Sequence, residues 1–162
     1  MVVADTSPLN YLVLIDQINL LPQLYGRVLI PESVLKELSA IETPQVVREW
    51  TANLPEWIEV SRVIPIEGLT RLHAGERDAI ALAITVQSDA VLLDERRGRQ
   101  EAESRGLKSI GTLGVLVTAH DRELIDLSAT IDALRQTSFH ASPKLLASIV
   151  ERSLPPTKGD LQ

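Results

Sequence analysis

Short runs of consecutive apolar residues alternate along this chain with longer stretches in which apolar side chains recur every three or four positions, a pattern that predicts buried strands feeding helices. Val2-Val3-Ala4 reads as a strand ending at Asp5, after which Thr6-Ser7-Pro8 offers a hydroxyl N-cap and a proline at the first helical position. That helix carries Leu9, Leu12, Val13 and Ile15 and is expected to continue weakly through Ile18 to Leu24, with Gly26 permitting the turn into a second strand, Val28-Leu29-Ile30. Pro31 opens a helix with Val34, Leu35 and Leu38 on one side, and Thr43-Pro44 opens another through about Asn53. Trp57 to Val60 reads as an edge strand, and Ser61 to Leu72 is the least regular part.

From Gly75 the positions Ala79, Ile80, Leu82, Ala83, Ile84 and Val86 predict a helix buried on most of its circumference, followed by a fully buried strand, Ala90 to Leu93. Arg96 to Ser104 forms a polar helix stopped by Gly106, Leu107 to Ile110 a fifth strand, and Thr112 caps a helix through about His120. Leu127 to Gln136 and Pro143 to Ser153 read as terminal helices, leaving 154–162 as a polar tail expected to be disordered. Alternation of this kind predicts an α/β fold, with residues 1–153 building a doubly wound parallel sheet.

Composition narrows the chemistry. Aliphatic residues carry almost all of the 44% hydrophobic content and aromatics only 3%, which fits buried strands and close-packed helices better than a β-sandwich. With no cysteine, a disulfide framework, a thiolate zinc site and a cysteine nucleophile are excluded. His73, His120 and His140 lack close ligand spacing and read as surface or packing residues. The start lacks the features of a signal peptide and no apolar run reaches membrane-spanning length, so a cytoplasmic protein without membrane contact is expected. A net charge of −6 argues against a basic nucleic-acid coat but allows a local cationic cleft.

Acidic residues stand where apolar segments stop: Asp5 after the first strand, Glu37 in a short helix, Glu76 opening another and Asp94 after Leu93. In an open α/β sheet the crevice beyond the carboxyl ends of the strands is the functional place, and carboxylates converging there repel one another unless a cation lies between them. A hard-metal site is therefore expected. Each acid also has a structural reading: Asp5 as a turn acceptor, Glu37 as an exposed helix residue, Glu76 and Asp78 as partners of a helix dipole, Asp94 or Glu95 as a helix cap. Glu76 and Asp78 lie about 200° apart on a helix, so both are not expected to face one cleft. Arg96, Arg97 and Arg99 could grip phosphate oxygens or pair with Glu101 and Glu103, while Thr6, Ser7 and Asn10 could orient a water.

Together, Val-Val-Ala-Asp-Thr-Ser-Pro-Leu, Ile-Pro-Glu-Ser-Val-Leu-Lys-Glu-Leu, Gly-Glu-Arg-Asp-Ala-Ile-Ala-Leu-Ala, Leu-Leu-Asp-Glu-Arg-Arg-Gly-Arg and Ile-Gly-Thr-Leu-Gly resemble the PIN-domain family, in a prokaryotic branch related to VapC-type toxins. The resemblance spans roughly residues 1 to 150. It implies an α/β/α sandwich around a parallel sheet of four or five strands, and an endoribonuclease using Mg²⁺ or Mn²⁺. By motif, Asp5, Glu37 and Asp94 match family acids; the third acid is Glu76 or Asp78, and Glu95 competes with Asp94. RNA as substrate, an antitoxin partner and a homodimer follow from the same resemblance. A non-catalytic PIN-like binding or regulatory module is the alternative. A nucleotide-binding protein is disfavoured because no Gly-rich phosphate loop follows a strand.

Overall fold

Strand residues of this chain face two different hydrophobic cores in strict alternation. In the computed structural model, which describes residues 1–154, the strands are β1 (Val2–Ala4), β2 (Val28–Pro31), β3 (Ile58–Ser61), β4 (Ala90–Leu92) and β5 (Ser109–Ile110). They form one sheet in the order β3-β2-β1-β4-β5, with every pairing parallel. Val2, Ala4, Val28, Ile30, Ala90 and Leu92 point into one core, and Val3, Leu29, Val91 and Leu93 into the other. Burial on both faces is why these strands read as unbroken apolar runs rather than as polar–apolar alternation.

The first core is closed by α1 (Thr6–Leu14), α2 (Leu20–Tyr25), α3 (Glu32–Leu38), α4 (Gln45–Ala52), α7 (Thr112–Asp121), α8 (Leu127–Arg135) and α9 (Pro143–Ser153). The second is closed by α5 (Ala74–Thr85) and α6 (Arg96–Ser104), whose small residues Ala79, Ala81, Ala83 and Ala102 let the helix backbones come close to the sheet. The result is an α/β/α sandwich. Among the described residues 62–73 contain no helix or strand, matching the least regular stretch of the sequence. Of the tail expected over 154–162, all but Leu154 lies outside the described residues.

Several boundaries differ from expectation, for one recurring reason. The helix expected to run on from Leu9 to Leu24 breaks into α1 and α2 because Asp16 adopts φ +57°, with the Gln17 N–H donating to Leu12 O and the Asp16 N–H to Val13 O. This is a Schellman ending, normally marked by glycine. Gln87 and Glu123 end α5 and α7 in the same way, and only Gly106, after α6, announced itself in the sequence. The ending after α6 also shortens β5, since the Leu107 N–H is taken by Ala102 O. At the start of α1 the cap position belongs to Asp5 rather than to Thr6 or Ser7, because the Thr6 hydroxyl donates to Glu37 instead. Likewise Gly111, not Thr112, caps α7.

Strand order decides where a site can form. The chain leaves β1 toward β2 and β3 on one side, then crosses by α5 to β4 on the other, so the switch point lies between the carboxyl ends of β1 and β4. The Asp5 N–H donates to Leu92 O there at 3.0 Å. Because Leu92 is fully buried in the middle of this sheet, Leu92→Ala is expected to lower the unfolding free energy by about 2–5 kcal/mol in urea titrations. Ile41→Ala, at a side chain 76% exposed, should stay within about 0.5 kcal/mol of wild type.

Candidate metal centre

Three acids meet at the switch point because three separate elements deliver them. Asp5 sits where β1 turns into α1, Glu37 lies near the end of α3, and Glu76 is the third residue of α5. With Thr6, Ser7, His73 and Glu95 they line a cleft of about 280 Å³. Asp5 and Glu76 are each only 4% exposed, an unusual burial for carboxylates without cationic partners. Among the described residues, no three or more Asp, Glu or His side chains stand close enough together to hold a metal ion as they are placed.

Each carboxylate is held differently. Glu37 accepts from the Thr6 hydroxyl and, at 3.0 Å, from the Gly75 N–H, so it ties the start of α1 to the start of α5. Glu76 reaches back to its own helix cap, Oε2 accepting from the His73 N–H at 3.3 Å, which is half of a capping box. Its other oxygen, Oε1, is buried and has no hydrogen-bond partner. Asp94 is fully engaged: Oδ1 accepts from the Thr112 N–H and Oδ2 from the Thr112 hydroxyl, both at 2.7 Å.

Two glycines make this crowding possible, and neither was singled out as functional from the sequence. A Cβ on Gly75 would stand 2.6 Å from Asp5 Oδ1 and 2.7 Å from Glu37 Oε2; one on Gly98 would stand 2.8 Å from Glu76 Oε1. Glycine in the first turn of α5 and again in α6 runs against helix propensity, and that mismatch is the signal that marks both positions. Thr112 is a third omission: read as a cap, it is the residue that fixes Asp94.

The remaining candidates spread out. Asp78 is half-buried, accepts from Arg77 Nε at 3.0 Å and does not line the cleft; Asn10 does not line it either. Asp94 lines a neighbouring groove together with Arg99, while Glu95 takes the rim of the acidic cleft. Arg97 points to a different surface beside Arg71, and Arg96 is exposed. Among the described residues none of the three arginines pairs with Glu101 or Glu103: Glu101 binds Arg105, and Glu103 accepts from the Ser109 hydroxyl.

Electrostatics follow from burial. Asp5 is pushed up from its ordinary 3.8 to about 7, first by loss of water and further by the charges of Glu76, Glu37 and Asp94, with the Thr6 N–H opposing. Burial also raises Glu76, with Glu95 and Glu37 adding to it, and raises Asp94 against the pull of Thr112 and Arg99. An acid with a raised folded-state pKa favours folding while protonated, so its contribution is complete below 3.8 and is lost as pH climbs through about 7. Without added metal, Asp5→Asn should therefore match wild type in thermal midpoint near pH 4 and exceed it at pH 8, by an amount on the order of 2–4 kcal/mol. Divalent cation should narrow the gap by stabilising wild type alone; an equal gap at both pH values, read by scanning fluorimetry, would contradict the assignment.

A family model described as the PIN domain matches residues 1–154. No curated protein and no solved structure matches the chain. The match covers the whole sheet, every acid of the cleft and the glycines that let them approach, and the fold is the α/β/α sandwich on which PIN nucleases are built. This chain belongs to the PIN-domain family.

Proposed function

We propose that this chain is an endoribonuclease that hydrolyses RNA phosphodiester bonds with Mg²⁺ or Mn²⁺ held by Asp5, Glu37 and Glu76. The observation that carries the reading is Glu76 Oε1, a buried carboxylate oxygen without a hydrogen-bond partner, on a residue that lines the same cleft as Asp5 and Glu37. An all-oxygen donor set of this kind fits a hard divalent cation, and two or three direct carboxylates suffice for Mg²⁺. When bound, the cation supplies charge stabilisation at the attacked phosphate and an acidified water.

The chain's own residues do the positioning. The Thr6 hydroxyl and the Gly75 N–H hold Glu37, the His73 N–H holds Glu76 by Oε2 and leaves Oε1 without a partner, and Thr112 holds Asp94 in the groove beside the cleft. Thr6 and Ser7 line the cleft at the start of α1, where the positive end of a helix favours a phosphate oxygen. His73 is exposed at the rim, so no buried imidazole of the cleft serves as base, and a cleft carboxylate is the group that would take the proton of the attacking water.

The same reading extends to the toxin of a toxin–antitoxin pair, acting in the cytoplasm as a homodimer. Its support is the likeness of the motifs to VapC-type toxins, together with Ile41 just after α3 and Val46 in the first turn of α4, which are 76% and 51% exposed and offer apolar surface for self-association. A second reading, a PIN-like module that binds without cutting, draws on Asp94, both of whose oxygens are already occupied by Thr112.

Incubation of the purified chain with a mixed pool of structured RNA separates the two. Cleavage is expected with Mg²⁺ or Mn²⁺ and lost in EDTA. Asp5→Asn and Glu76→Gln should each slow it about 10²-fold or more, and Thr112→Val about 10- to 100-fold. A folded wild type that cuts nothing in either metal transfers the weight to the binding module.

A further inference from the structure

The groove beside β5 is roomier than the acidic cleft, about 390 Å³ against about 280 Å³, and it runs from Asp94 and Gly111 at the carboxyl end of this edge strand to Lys108 at its start. Its far wall is the segment between α8 and α9, where Phe139 and His140 lie. Tyr11 of α1 holds that wall in place: its ring meets Phe139 edge to face at 5.0 Å between centroids, and its hydroxyl shares a 3.2 Å hydrogen bond with the Ser138 hydroxyl. The helix that begins at the acidic cleft thus also fixes the groove.

Charge sets the groove apart. In a protein of net charge −6, its lining side chains include Arg99, Lys108 and His140, with Asp94 as the acid among them. Asp94 is held by Thr112, and Glu103 at the margin accepts from the Ser109 hydroxyl at 2.6 Å, so Arg99 meets Ser109 (Nε to Oγ, 3.4 Å) rather than a carboxylate. Among the described residues neither Arg99 nor Lys108 forms an ion pair. Two cations outside any ion pair and one half-buried aromatic ring along a single groove are the makings of a single-strand track.

We propose that this groove holds single-stranded RNA on one side of the phosphate that enters the acidic cleft, with Arg99 and Lys108 on backbone phosphates and Phe139 against one base. This rests on the nuclease reading above. Asp94 and Glu95 join the two concavities: Asp94 lines the groove and its chain neighbour Glu95 lines the cleft, so the two open on either side of the same stretch of backbone. Arg99 and Lys108 are positioning residues that touch the strand away from the reacting bond.

Fluorescence anisotropy of a labelled single-stranded RNA oligonucleotide, in EDTA so that nothing is cut, tests the assignment over a series of salt concentrations. Arg99→Gln and Lys108→Gln should each weaken binding roughly threefold to tenfold and reduce the slope of log affinity against log salt by about 0.7. Arg27→Gln removes the same charge just before β2, with β1 and β4 standing between it and β5, and should change neither; matched thermal midpoints exclude misfolding. The salt slope is a readout that a merely structural role would not move.

If both groove variants bind with wild-type affinity and slope while metal-dependent cleavage by wild type persists, the track is wrong and the nuclease reading stands. That result would return the groove and its open β5 edge to a peptide partner. If wild type neither binds nor cuts RNA, both are overturned.

Discussion

Strand polarity is the constraint on which this structure depends. Because all five strands are parallel, all their carboxyl ends lie along one edge of the sheet, and β1, β2, β4 and β5 each pass there into a helix, α1, α3, α6 and α7. The same edge therefore collects the acids that end the strands and the unpaired N–H groups that begin the helices. The Thr112 N–H on Asp94 and the Gly75 N–H on Glu37 are two cases of that meeting. Reversal of β4 would carry Asp94 to the opposite edge, and the crossover through α5 that delivers Glu76 would no longer exist.

Within that frame the carboxylates are not treated alike. Glu37 and Asp94 each receive two donors, while Asp5 and Glu76, the more deeply buried pair, have only one N–H donor apiece opposing the charges around them. Stability alone would reverse this, placing the best-satisfied groups deepest. An arrangement that leaves the deepest charges short of donors is strained electrostatically, and a bound cation would restore the balance. The glycines at 75 and 98 serve the same end, since each gives up helix propensity so that a carboxylate can lie against the helix backbone.

The parallel sheet was legible in the sequence because burial on both faces leaves runs such as Val28-Leu29-Ile30 and Ala90 to Leu93 with no competing reading. Helix ends were legible only where glycine marked them: Gly106 announced the end of α6, whereas Asp16, Gln87 and Glu123 adopt the same backbone conformation with ordinary side chains. At the site, strand-ending acids could be picked out from local pattern, but the choice between Glu76 and Asp78 could not. It is decided by the register of α5 against α6, a tertiary fact that turns Glu76 toward Gly98 and leaves Asp78 beside Arg77. The three neighbouring arginines looked like one patch for the same reason, and helical rotation separates Arg97, beside Arg71, from Arg99 in the groove with Asp94.

An acidic protein acting on a polyanion meets a further difficulty that the two concavities resolve between them. Without a cation, the cleft of Asp5, Glu37 and Glu76 repels the backbone that the groove of Arg99 and Lys108 attracts. Metal in the cleft would change the sign of the local field and join the two into one continuous track. Affinity for metal and affinity for RNA are then reciprocally linked, each raising the other by the same factor, because the coupling is a single free energy shared by both ligands. If both sites act as proposed, separation of the charges into an acidic pocket and a cationic groove, bridged by Asp94, would make the protein a poor binder of either ligand alone and a better binder of both together.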